Sequence, residues 1–469
     1  MHISPDDIRT LFSRAMSDMY QGEVPHYATL LRLVGAINDE ARATDPVLDR
    51  RLAETGELGR LALERHGAVR VGTPSELAML RRLFAVMGMQ PVGYYDLSAA
   101  GVPVHSTAFR PVTDEALGRN PFRVFTSLLR LELISEPALR AAAARILERR
   151  SIVTPTCLAL IERAETDGAL AAADARRFVA EALETFRWHG EATVDRATYE
   201  HLRSAHPLIA DIVCFKGPHI NHLTPRTLDI DAAQERMAGA GLDAKEVIEG
   251  PPRRRVPILL RQTSFKALQE PIRFVSRDGR REPGAHTARF GEIEQRGLAL
   301  TGAGRALYDR LLAEARASGA SGTQDGRAGG GAAGHEAVLE ACFASFPDDE
   351  AVLRANELGF FRYRAAPGAR ASAAAGLETL LGDGRLIAEP ITYEDFLPVS
   401  AAGIFRSNLG DRASAGDEEG ESRQPAFEAA LGVPVIDPLQ LYEAAQAHSL
   451  RDALVSLQSG EPAGSAPAG

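Results

Sequence analysis

The chain has 469 residues, 45% hydrophobic and 25% charged, enough for a large core and two or three lobes, and its net charge of −10 argues against nucleic acid as a partner. Its three cysteines, Cys157, Cys214 and Cys342, are far apart and form no CxxC pair, which excludes a disulfide framework or a thiolate metal site and fits a reducing cytoplasm. No run of about 18 apolar residues occurs, and the opening MHISPDDIRTLFSRAM is amphipathic rather than basic then apolar, so neither a membrane nor export is expected.

Residues 1–60 read as a helical N-terminal segment: Ser4 can cap a helix opening on Pro5, and YATLLRLVGAINDEA is apolar at helical spacing. Residues 61–135 begin with a strand, HGAVRVG, from His66 to Gly72. Thr73-Pro74-Ser75-Glu76 then joins a capping box to proline at the first helical position and predicts a helix to about Gly88. QPVGYYDL, VPVHSTAFRPV and PFRVFTSLLRLELI follow as three strands, so the unit reads βαβββ.

Residues 136–205, with ALRAAAARILERR and DARRFVAEALETF, form a helical insertion. Across 206–310 the first pattern returns: a strand in ADIVCFKGPHINHLT, a helix in DAAQERMAGAG closed by glycine, then strands in KEVIEG, VPILLRQTSF and HTARFGEIEQRG. The expected fold class is therefore α+β with two βαβββ modules. Residues 311–335 read as a flexible Gly/Ala/Ser-rich loop, 336–457 as a C-terminal region completing the active site, and 458–469 as a disordered tail. Within the C-terminal region, GDRASAGDEEGESRQ is a second low-complexity stretch, and YEDFLPVSAAGIFRSNLG suggests a tight loop near Pro398.

His66 opens the leading strand of the first module, His219 and His222 lie in the corresponding strand of the second, and Glu292 lies in its last strand. Two imidazoles and a carboxylate on adjacent strands can bind one face of a metal and leave positions for a chelating substrate and oxygen, a set that suits iron(II) and also accommodates manganese, cobalt or zinc. Periodicity does not separate Glu292 from Glu294, because both point to one face of a strand, and it leaves His219 beside His222. Arg70, four residues after His66, shares the face of that imidazole. Its fork suits a substrate carboxylate, although an ion pair with an acidic neighbour explains it equally.

HGAVRVG, VPVHSTAFRPV, GPHINHLTPRTLDID, ILLRQTSFKAL, HTARFGEIEQRG and FLPVSAAGIFRSNLG together resemble the 2-oxoadipate dioxygenase/decarboxylase family, also called 2-hydroxyglutarate synthase. That family is similar in fold and metal site to the vicinal oxygen chelate superfamily, which implies that the two βαβββ modules form a central curved sheet around a metal site. The resemblance implies that His66, His222 and Glu292 hold Fe(2+) and form the catalytic set with Arg70, and that His66, Arg70, Val399 and Ser400 touch substrate. It favours His222 by spacing from the first ligand. It favours Glu292 because hydroxyphenylpyruvate dioxygenases carry a pattern that maps onto Phe290, Glu292, Ile293, Gln295 and Arg296. His105, Arg226, Arg261, Gln262 and Lys266 fall in matching blocks, where fold-supporting hydrogen bonds explain each as readily.

The implied reaction is oxidative decarboxylation of 2-oxoadipate by O2 to 2-hydroxyglutarate and CO2, a step of lysine breakdown. The implied partners are a 2-oxo dicarboxylic acid and O2. Two other readings keep the fold: a non-redox metal-dependent lyase or isomerase of the glyoxalase type, which commonly adds a fourth protein ligand, and a non-catalytic small-molecule binder.

Overall fold

Local chemistry sets where the N-terminal helices start. Ser4 accepts a hydrogen bond from Asp7 N (3.1 Å) ahead of Pro5–Glu23, and Asp45 accepts from Val47 N and Leu48 N ahead of Pro46–Glu54, each helix with proline in its first turn. Tyr27–Thr44 and Glu57–Leu61 complete the segment. The computed structural model describes residues 2–265, 269–275, 279–321, 332–371, 376–397 and 423–459. Lys266, Pro398, Val399 and Ser400, most of both low-complexity stretches, and the tail from residue 460 lie outside them. The chain is a mixed α+β protein in two units: Met1–Glu249 with Gln262–Gln295 and Asp395–Ile436, and Gly250–Arg261 with Arg296–Glu394 and Asp437–Gly469.

In the first unit, β1 (Arg65–Val71) leads through the helix Pro74–Ala85 to β2 (Gln90–Asp96), β3 (Val104–Arg110) and β4 (Arg123–Leu129). Thr73 caps that helix through Glu76 N. The strands lie in the order β2-β3-β4-β1, with β1 parallel to β4 and the other two pairs antiparallel. A central parallel strand is covered on both faces, and β1 and β4 are accordingly buried along almost their whole length. β5 (Leu223–Pro225) runs antiparallel to the other edge of β1, with Thr224 opposite His66.

From β5 the chain enters the helix Ile230–Met237 and turns at Gly241, whose φ of 77° is one that glycine adopts without strain. Residues 244–249 then bridge antiparallel to β6 (Leu260–Ser264) through Ala244–Phe265 and Glu249–Gln262. A hairpin, β7 (Glu270–Val275) and β8 (Arg281–His286), comes before β9 (Glu292–Arg296), which lies beside β6. Arg226 bridges parallel to Glu294, and Thr227 N donates to Glu294 O (2.7 Å). β1, β5 and β9 are thereby brought side by side.

Four details differ from the sequence reading. KEVIEG, read as a strand, makes only an isolated bridge, at Glu249. Ala210 to Val213 of ADIVC belong to a helix, Pro207–Val213, because His206 Nδ1 accepts from Leu208 N (3.1 Å) and proline takes the first turn; only Leu223 and Thr224 of that block lie in a strand, Leu223–Pro225. The β7–β8 hairpin has no counterpart in the expected order. The interval 311–335, read as a loop, contains the end of the helix Gly302–Ser321 and the start of Ala332–Phe343, both alanine-rich and so of high helix propensity.

The core of the first unit joins the N-terminal helices to the sheet. Phe12 meets Phe122 and Phe186 edge-on at 5.9 and 5.6 Å, and Phe84 meets Phe109 at 4.9 Å, all fully buried. Phe186 ends the helix Ala172–Phe186, so the helical insertion is part of this core. In the second unit, β10 (Phe361–Ala365) pairs antiparallel with β11 (Leu386–Pro390). Gln446 and Ser449, on the helix Pro438–Ser459, accept from Phe361 N (2.7 Å) and Tyr363 N (3.1 Å). Among the described residues no helix is long and apolar enough to cross a membrane.

Candidate metal centre

His66 near the start of β1, His222 just before β5 and Glu292 at the start of β9 each offer a ligand atom within 4.8 Å of the others, and all three side chains are fully buried. The backbone permits this because residue 67 is glycine. A Cβ there would lie 2.6 Å from Ile220 Cδ1 and 3.0 Å from the His222 carbonyl oxygen. Asn221 N donates to Ala68 O (2.9 Å) and Phe290 N to Asn221 O (3.2 Å), which ties the three segments together. The fully buried Tyr20 hydroxyl lies 2.7 Å from Phe290 O and 3.1 Å from Asn221 O.

The hydrogen bonds assign the imidazole tautomers. Thr224 Oγ1 lies 3.0 Å from both Glu292 Oε1 and His222 Nδ1. Its single proton goes to the carboxylate, so it accepts from His222 Nδ1–H and leaves the Nε2 lone pair of His222 for another partner. That Nε2 and Glu292 Oε2 are buried atoms without a hydrogen-bond partner among the described residues, a state that carries a large desolvation cost unless something compensates it. Gln262 Nε2 donates to the other oxygen, Glu292 Oε1 (2.7 Å). His66 Nε2 also faces Glu292 Oε1 at 3.0 Å, and its Nδ1 lies 2.8 Å from Glu294 Oε2, an ion-pair contact bent away from the N–H axis.

The electrostatics suit a cation. Burial pushes the His222 imidazole down to about 4, which keeps it neutral and ligating. Burial would also depress His66, but Glu294 and Glu292 outweigh it and raise its pKa. A field that binds a proton at His66 would bind a divalent ion more strongly, releasing the proton as it does so. Burial would raise Glu292, yet His222 and His66 hold it below the usual carboxylate range. Two nitrogens and one carboxylate oxygen with unmet coordination therefore fit a borderline divalent metal. Phe396 packs its ring 5.0 Å from His66 and Phe290 lies 5.0 Å from His222, so apolar surface flanks the donors.

The other expected residues fall as follows. Arg70 shares the face of His66 and pairs through Nη1 with Asp211 Oδ2 at 2.8 Å. His219 is outside the trio, with Nε2 3.2 Å from Asp211 Oδ1. Arg226 pairs with Glu57 (2.8 Å) and Glu64 (3.1 Å), Arg261 Nε donates to Pro251 O (3.0 Å), and His105 Nδ1 meets the Tyr94 hydroxyl (3.3 Å), all fold-supporting contacts. Val399, Ser400 and Lys266 lie outside the described residues. Thr224 and Asp211 were missed. Thr224 had a signal, since two residues after His222 puts it on the same strand face; Asp211, in a helix distant from β1 in sequence, had none.

Residues 12–408 match the family model described as 2-oxoadipate dioxygenase/decarboxylase. The chain is 55% identical over 454 residues to an Escherichia coli protein of that name, covering 96% of this chain and 98% of the relative. It is 56% identical to a Pseudomonas putida protein of the same name, covering 98% of each. A crystal structure of the hydroxyglutarate synthase from Pseudomonas putida in complex with 2-oxoadipate superposes with a TM-score of 0.88 at 54% identity, over 97% of this chain and 99% of that one.

Proposed function

We propose, from the premise that this chain belongs to the 2-oxoadipate dioxygenase/decarboxylase family, that it is an iron(II)-dependent enzyme converting 2-oxoadipate and O2 into 2-hydroxyglutarate and CO2. The observation that carries the reading is the buried trio of His66, His222 and Glu292, whose His222 Nε2 and Glu292 Oε2 have no hydrogen-bond partner among the described residues. The six-carbon diacid and O2 balance the five-carbon hydroxy diacid and CO2 without a second oxidisable substrate. The reading extends to a vicinal oxygen chelate-like pair of βαβββ units, a cytoplasmic setting and a place in lysine breakdown.

When bound, iron(II) supplies Lewis acidity toward a chelating 2-oxo acid and the redox capacity that O2 activation demands. The chain does the rest. His66, His222 and Glu292 would hold the metal as a set of two imidazoles and one carboxylate, a donor set that suits iron(II). Glu294, Thr224 and Gln262 fix the orientation of those donors, as partners behind a ligand do at metal sites. Phe396 and Phe290 keep water away from the reacting end. Arg70 receives the distal carboxylate, and Val399 and Ser400, which lie outside the described residues, are assigned to substrate contact by the family resemblance alone.

The test is anaerobic reconstitution with iron(II), followed by 2-oxoadipate and O2, with oxygen uptake and CO2 release recorded together. Equal uptake and release with 2-hydroxyglutarate as product is the expected result. Turnover with zinc in the absence of O2 would replace this reading with the glyoxalase-type one, and no turnover by fully loaded protein would leave a binder.

A further inference from the structure

Arg70 is held by an elaborate buried cluster that the metal does not need. Asp211, on the helix Pro207–Val213, gives Oδ2 to Arg70 Nη1 at 2.8 Å, and both side chains are only 6% exposed. Asp211 Oδ1 faces His286 Nε2 at 2.9 Å and His219 Nε2 at 3.2 Å. His286 Nδ1 in turn meets the Tyr199 hydroxyl at 2.8 Å. Trp188, the sole tryptophan, meets the His219 ring edge-on at 4.7 Å and stacks on His286 at 6.0 Å. Burial would favour a neutral Asp211, but His219, His286 and Arg70 keep it ionised.

Two physical requirements explain such a cluster. A guanidinium in a dry site is costly without a counter-charge, so a fixed carboxylate allows it to stand ready before any ligand arrives. A carboxylate that fully neutralised it would, however, weaken its pull on a second anion. Sharing Asp211 among Arg70 and two imidazoles spreads the negative charge, and the arginine keeps a net attraction for a further carboxylate.

We propose that Asp211 is a positioning residue that sets selectivity: it fixes the Arg70 guanidinium at one distance from the metal trio, so that 2-oxo acids carrying a second carboxylate at that distance are preferred. The proposal rests on the reading of Arg70 as the receiver of the distal carboxylate. His219, His286 and Tyr199 act through Asp211, each by limiting its motion.

The experiment is anaerobic calorimetry of the iron(II)-loaded protein with 2-oxoadipate and with 2-oxohexanoate, which has the same carbon chain but ends in a methyl group. Asp211→Asn is expected to reduce the preference for the diacid about 10-fold, the scale of one charged hydrogen bond, and to leave 2-oxohexanoate affinity unchanged. In an Arg70→Ala background the same substitution is expected to change nothing further, because two residues acting as one unit are not additive. An unaltered preference in Asp211→Asn, with native far-ultraviolet circular dichroism and a cooperative urea transition, overturns the proposal alone. A preference that survives Arg70→Ala overturns the role of Arg70 as well. If circular dichroism shows that Asp211→Asn has not folded, Tyr199→Phe decides: a smaller loss of preference supports the proposal, and none overturns it.

Discussion

Glu292 and Glu294 grip opposite ends of one imidazole: Glu292 Oε1 is 3.0 Å from His66 Nε2 and Glu294 Oε2 is 2.8 Å from His66 Nδ1. Residues two apart on a strand share a face, so a Glu-X-Glu strand can offer one carboxylate to a metal and use the next to orient the ligand opposite. Glu292→Ala should abolish iron retention. Glu294→Gln should weaken metal affinity by about 10- to 100-fold and keep measurable turnover. Iron per chain after desalting, measured alongside oxygen uptake, checks both, and the reverse ranking would exchange the two roles.

The histidines should separate in the same assay. His66→Ala and His222→Ala should each leave the protein without bound iron. His219→Ala should retain a full equivalent, because its ring touches Asp211 rather than the trio. Loss of iron in His219→Ala would contradict the ligand set.

Gly67→Ala tests the packing beneath the centre. The added methyl would press on Ile220 Cδ1 at 2.6 Å and on the His222 carbonyl at 3.0 Å. Overpacking of this kind costs about 1–3 kcal/mol, and the displaced segment carries a ligand. A lower denaturation midpoint together with weaker iron binding is expected; lost stability with unchanged iron affinity would show that the His222 segment does not move.

His105 gives a pH dependence away from the metal. Burial, aided by Arg130, pushes its imidazole from 6.5 down to about 4. As pH falls, the unfolded chain therefore takes up this proton first, so the residue costs nothing well above pH 6.5 and progressively lowers stability between about 6.5 and 4. His105→Gln should lose less stability than the parent between pH 7 and 5 in urea titrations. Parallel curves for the two proteins would show that the proton is taken up equally in both states.

Legibility in the sequence followed the range of the forces involved. Helix starts at Ser4 and Thr73 are decided within four residues, and both appear where the capping pattern puts them. β1 to β4 were visible because each is a short apolar run between turn formers. Pro207–Val213 was misread because its β-branched residues suit a buried strand, whereas the cap from His206 and the first-turn proline favour helix. β8 mixes charged residues with Pro283 and Gly284 and shows no alternation, whereas β7 alternates at Ile272 and Phe274 over a stretch too short, beside Pro271, to stand out in the sequence. At the site, residue types and spacing named a set of donors, and the resemblance chose among them. The hold on Arg70 depended on a helix brought close only by tertiary packing, which no local pattern encodes.

The bonds of Tyr20 also bear on synthesis. Its hydroxyl, made early, closes on Phe290 O, 270 residues later in the chain. At about 5–20 residues per second, a ribosome needs some tens of seconds to supply that partner. Before then its ring can already pack on Tyr27 and its hydroxyl can already reach Asn221 O. Completion of the centre is thus a late event in the life of each chain, because a nascent chain cut short before Phe290 carries only two of the three donors.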